Sequence, residues 1–166
     1  MEAKPRTLSH TLRQLTNRLA ALFGYNLYTE NRSQRLPKKS IAIRHLDGGS
    51  SNAPEMELNA LTSPVYDLDQ YGIHFVASPR HADVLLITGP LTRSMEAAAV
   101  TTFRAMPEPR RVVTVGDGFA PNSLLADSYS VVPLPTELAQ ARVAHIPGDP
   151  PSPQQILEIL LALPTR

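Results

Sequence analysis

The chain contains no cysteine. Disulfides, thiolate metal sites and thiol redox chemistry are therefore excluded for its own side chains. It has no tryptophan and only 5% aromatic residues, which leaves little for the stacking platforms that hold single-stranded nucleic acid. The net charge is +1, so no overall basic excess points to a polyanion, and no nucleic-acid partner is expected. No run of about 18 apolar residues occurs, so nothing reads as a membrane span. The first residues lack the apolar core of a secretory signal, and none is expected.

What is present is ordinary for a globular chain of one domain: 166 residues, 42% of them hydrophobic. The charge is unevenly spread. Residues 1–44 hold nine Lys/Arg against Glu2 and Glu30, a net +7, so the remainder must carry −6. Leu8, Leu12, Leu15, Leu19, Leu22 and Phe23 recur at helical spacing, which predicts a basic amphipathic helix over 7–23 and a polar linker to residue 40. Two readings of its apolar stripe stand: packing on a protein surface, or lying at an anionic lipid interface. Residues 41–166 form the body.

In the body, strand-like and helix-like stretches alternate. Strands are predicted at 41–46, 73–77, 84–88, 111–115 and 142–146; helices at 55–61, 94–106 and 152–163, the last with Ser152 as N-cap. Such alternation predicts an α/β fold, a parallel sheet with helices on both faces. The 16 prolines fall mostly at strand-to-helix loops, which reads as rigid loop construction rather than a disordered tail.

Three glycine-bearing loops follow apolar runs: Asp47-Gly48-Gly49-Ser50-Ser51-Asn52-Ala53-Pro54, Gly116-Asp117-Gly118 and Pro147-Gly148-Asp149-Pro150-Pro151. Ligands of open parallel sheets bind beyond the carboxyl ends of the strands, so these loops would gather Ser50, Ser51, Asp117 and Asp149 at one crevice. No dinucleotide fingerprint or P-loop lysine is present. The Gly-Ser turn reads as a tight turn or an anion cradle. Asp117 and Asp149 read as strand-end aspartates, or as a pair forming a proton or cation site. The five histidines show no metal-ligand spacing and read as surface or hydrogen-bonded core groups.

These loops, with Ser78-Pro79-Arg80-His81-Ala82-Asp83, Thr88-Gly89-Pro90-Leu91-Thr92-Arg93 and Met106-Pro107-Glu108-Pro109, resemble one family over residues 41–163. It is the cluster-bearing small subunit of membrane-bound nickel–iron hydrogenases, related to the 20 kDa subunit of complex I, the NADH-quinone oxidoreductase. There the loops read roughly D-C-G-x-C-N-G-C-E-I-E-I, G-x-C and P-G-C-P-P. The four cluster-ligand positions fall here on Ser51, Pro54, Gly118 and Asp149, and a further family cysteine on Gly48. Iron–sulfur clusters are held by cysteine thiolates, so the four-iron cluster of the family is expected to be absent.

The resemblance implies a flavodoxin-like sheet. It also implies partners: a hydrogenase-like large subunit, and antiporter-like and quinone-module-like membrane subunits, on the cytoplasmic face of the cell membrane. Arg80 matches an arginine near the cluster and quinone region of the complex I relatives; with Asp117, Asp149 and Glu57 it is a candidate crevice or interface residue. The expectation is a non-redox structural subunit of an ion-translocating assembly, with no catalytic activity of its own. The alternative is a stand-alone ligand-binding domain or enzyme reusing the empty crevice.

Overall fold

The computed structural model describes residues 40–120 and 123–163. The helix read at 7–23 and its linker lie outside the described residues. The body forms a five-stranded sheet of β1 (Ile41–Asp47), β2 (Ile73–Phe75), β3 (Val84–Thr88), β4 (Arg111–Val115) and β5 (Arg142–Ile146). The order is β2-β1-β3-β4-β5 and every pairing is parallel. This is the flavodoxin-like order.

Central strands of a parallel sheet are covered on both faces, so they read as unbroken apolar runs. Val84-Leu85-Leu86-Ile87-Thr88 is fully buried at all five positions. Among the described residues four α-helices surround the sheet: α1 (Ala53–Leu61), α2 (Arg93–Arg104), α3 (Thr136–Gln140) and α4 (Pro153–Leu161). Alternation along the strands divides the core. Ile43, Val84, Leu86, Val113 and Val115 meet Leu58 and Leu61 of α1 and Ile156 and Leu160 of α4. Leu85, Ile87 and Val112 meet Ala99 and Phe103 of α2 and Leu138 of α3. Truncating one such side chain to alanine typically costs about 2–5 kcal/mol.

Strands β3, β4 and β5 lie where the sequence predicts them. Strand β2 ends at Phe75 rather than Ala77, because the chain leaves the sheet after the Val76 amide bonds the Ile43 carbonyl (2.8 Å). Between β2 and β3 no α-helix intervenes, only a 3-10 turn at Pro79–His81. Asp83 closes that connection: its carboxylate accepts the Ala42 amide (3.0 Å) and its own amide donates to the Ala42 carbonyl (2.8 Å). Helix α1 starts two residues early, at Ala53, because a first turn needs no intrahelical N–H and so admits Pro54. Helix α2 runs Arg93–Arg104 and stops short of Pro107. Helix α3 has no counterpart among the helices that the sequence predicts; it is one turn long, set behind Pro133 and Pro135. No helix among the described residues is long and apolar enough to cross a membrane.

Candidate functional site

The carboxyl ends of the strands are bound together beyond the sheet. Gly48 N donates to Thr88 O (3.0 Å), Gly89 N to Val115 O (2.9 Å) and Gly116 N to Ile146 O (2.9 Å). This ladder fixes the Gly-containing loops against one another. Gly89 has φ +69°, and a Cβ there would stand 2.4 Å from Ser50 Cα, so only glycine lets these two loops meet.

The first loop is folded by its own side chains. The Asp47 carboxylate accepts the amides of Gly49 (2.8 Å) and Ser50 (2.9 Å). Thr92 holds it from the other side, its amide and hydroxyl both donating to the Gly48 carbonyl (2.8 and 2.7 Å). Asn52 then turns the chain into α1 through a left-handed conformation (φ 68°), which asparagine tolerates.

Ser51 and Asp149 meet across 98 residues of sequence, the serine hydroxyl donating to Asp149 Oδ1 (3.2 Å). Asp117 accepts the Gly148 amide (2.7 Å) and so ties the second loop to the third. The two carboxylates are thus turned to separate donors. Gly118 faces Pro90: a Cβ there would lie 2.5 Å from the Pro90 nitrogen and Cδ. Pro54 is buried in the first turn of α1, and Glu57 is half-buried one turn along. Arg80 stands apart, exposed on the turn that leads into the amino end of β3, whereas the loops lie past the carboxyl ends.

The donors gathered here do not fit an iron–sulfur cluster. Ser51 and Asp149 offer hard oxygen, Pro54 and Gly118 offer nothing, and the space a side chain at 118 would need is filled by Pro90. Among the described residues no group of three His, Asp or Glu side chains is arranged to hold a metal ion.

A second polar group lies beneath the first loop, unrecognised in the sequence. Glu55, on the first turn of α1, accepts hydroxyl hydrogen bonds from Ser50 on one carboxylate oxygen and from Thr88 on the other. His45 Nε2 lies 3.0 Å from Thr88 Oγ1 and 3.6 Å from Glu55 Oε1. Burial pushes the His45 pKa below the ordinary 6.5, outweighing the opposite pull of Glu55 and Asp47. On the other sheet face His145 Nδ1 lies 2.9 Å from the buried Thr114 hydroxyl. Its pKa is lowered too, by burial and then by Arg142. The available signal was polar side chains at the carboxyl ends of apolar strands: Thr88 closes a fully buried run.

Residues 52–163 match the family described as NADH ubiquinone oxidoreductase, 20 Kd subunit. The chain belongs to this family. Among its relatives, formate hydrogenlyase subunit 7 of Escherichia coli is 35% identical over 72% of this chain and 47% of its own length. The "Probable membrane-bound hydrogenase subunit mbhJ" of Pyrococcus furiosus is 34% identical over 75% of each chain. An NADH-quinone oxidoreductase subunit of Citrifermentans bemidjiense is 41% identical over 65% of this chain and 62% of its own. The chain thus spans about half of the formate hydrogenlyase subunit that it matches. A chain of the membrane-bound sulfane sulfur reductase, an archaeal respiratory membrane complex, shares the fold, with TM-score 0.61 and 24% identity over 79% of this chain and 72% of that one. This member of the 20 Kd subunit family has no cysteine at all.

Proposed function

We propose that this protein is a non-redox, cluster-less structural subunit of a hydrogenase-related or complex I-related membrane-bound assembly, docking a large subunit to membrane subunits on the cytoplasmic face. The observation that carries the reading is a set of strand-end loops held in shape in a chain that has no thiolate to offer. Its loops are locked by Asp47, Thr92 and Asp117 and by the backbone ladder, yet the ligand positions hold Ser51, Pro54, Gly118 and Asp149. Relatives named as hydrogenase and NADH-quinone oxidoreductase subunits supply the class of assembly. The +7 segment at 1–44 supplies charge suited to an anionic lipid surface or an acidic partner. The partners proposed are a hydrogenase-like large subunit and antiporter-like and quinone-module-like membrane subunits.

Co-expression with a tagged hydrogenase-like large subunit of the same organism tests this. The wild-type chain is expected to co-purify, and Ser51→Arg is expected to lower its yield at least about tenfold. Ser51 is exposed, so this change loads the rim with a bulky charge while circular dichroism stays native. Gly118 is the poorer choice, because any side chain there displaces Pro90. A soluble wild-type chain that never captures the large subunit overturns the docking role and favours the stand-alone ligand-binding domain.

A further inference from the structure

The hydroxyl, carboxylate and imidazole groups below the first loop form one connected chain. Ser50 and Thr88 each donate a hydroxyl proton to Glu55. With its proton so committed, Thr88 Oγ1 is left as an acceptor, and His45 Nε2 at 3.0 Å is the group that can donate to it. The neutral ring therefore sits as the Nε2–H tautomer, and the order His45 → Thr88 → Glu55 ← Ser50 runs from β1 through β3 and α1 to the loop. The Thr88 hydroxyl is wholly enclosed, whereas the side chains of His45 and Glu55 keep 30% and 15% exposure.

We propose that His45, Thr88, Glu55 and Ser50 form a proton-binding site beneath the docking crevice, and that docking of the large subunit is linked to release of that proton. The linkage rests on the docking reading above; the site itself does not. Adding a proton to His45 turns the chain of hydrogen bonds into an ion pair with Glu55, whose oxygen is already 3.6 Å away. The charged groups acting on His45 are Glu55 from α1 and Asp47 and Arg44 from its own strand; β3 presents only the Thr88 hydroxyl. A partner seated on the first loop removes the remaining water from the ring. Removing water disfavours the imidazolium, so the docked state selects neutral His45. By linkage, acid must weaken docking.

Two measurements test this on the full chain. Proton NMR follows the His45 ring in the wild type and in Glu55→Gln. The wild-type ring is expected to titrate below 6.5, and the variant lower still, because the carboxylate that supports the charged ring is gone. A ring that titrates at the ordinary value and is unmoved by Glu55→Gln overturns the site. Capture by the tagged large subunit is then measured from pH 7.5 to 5.5. Wild-type affinity is expected to fall with acid, by at most about tenfold per pH unit for one proton. His45→Gln keeps a donor near the Nε2 position without titrating, and its affinity is expected to be flat. Wild-type affinity equally flat overturns the linkage. Absence of capture at every pH removes the docking role and the linkage together, while the NMR titration still decides the site.

Discussion

His45 and His145 sit on opposite faces of the sheet, each against a fully buried threonine, Thr88 and Thr114. Both rings have pKa values pushed down, with burial as the leading cause. The consequence for folding has a definite sign. Well above about 6.5 both rings are neutral, folded or unfolded, and contribute nothing to pH dependence. Below 6.5 the unfolded chain takes up protons that the folded chain refuses, so stability falls until the pH passes the lowered folded values. Urea unfolding at pH 7.5 and 5.5 is expected to show a lower midpoint at 5.5. The double variant His45→Gln, His145→Gln is expected to lose most of that difference. A difference that persists in full assigns the acid sensitivity to other groups. Neither environment was legible in the sequence. His45, Glu55 and Thr88 come from three separate segments and meet only through the parallel register that sets Asp47 beside Thr88.

At the scale of elements, local rules succeeded where local energy decides. Ser152 was readable as an N-cap, and the structure shows a full capping box. Ser152 Oγ accepts the Gln155 amide (3.3 Å), and Gln155 Oε1 accepts the Ser152 amide (3.0 Å). Ser152→Ala removes the acceptor for an otherwise unpaired N–H at the helix start. It is expected to destabilise the domain by about 1 kcal/mol, seen as a lower denaturation midpoint with an unchanged slope. Loss of less than a few tenths would mean that water replaces the serine fully. The strands β3 and β4 were equally legible, since burial on both faces demands unbroken apolar runs. What local rules missed was set by tertiary contact. Helix α3 is too short to show a period, and it is held by Leu138 in the core and by the Arg104–Glu137 pair (2.9 Å). Strand order was not legible at all; it came from the family resemblance. The three loops were visible as loops, but the Ser51–Asp149 contact depends on that order, which carries the last loop across to the first.

For the whole molecule, the question is what a 20 Kd subunit fold does once its ligands are gone. Iron–sulfur clusters are held by soft cysteine thiolates, and this chain has none. The remaining oxygen donors are also engaged: Ser51 bonds to Asp149, and Asp117 bonds to the Gly148 amide. Pro90 fills the space beside Gly118, so no side chain can project there without displacing it. Incubating the anaerobically purified chain with ferrous iron and sulfide, then desalting it, is therefore expected to leave far less than one iron per chain. No visible charge-transfer band and no reducible paramagnetic signal should appear. The same result is expected of this subunit within an assembled complex, since assembly adds no thiolate from this chain. Stoichiometric iron and sulfide with a reducible signal that disappears in Ser51→Ala, Asp149→Ala would show instead that oxygen ligands hold a cluster here, and would restore an electron-transfer role.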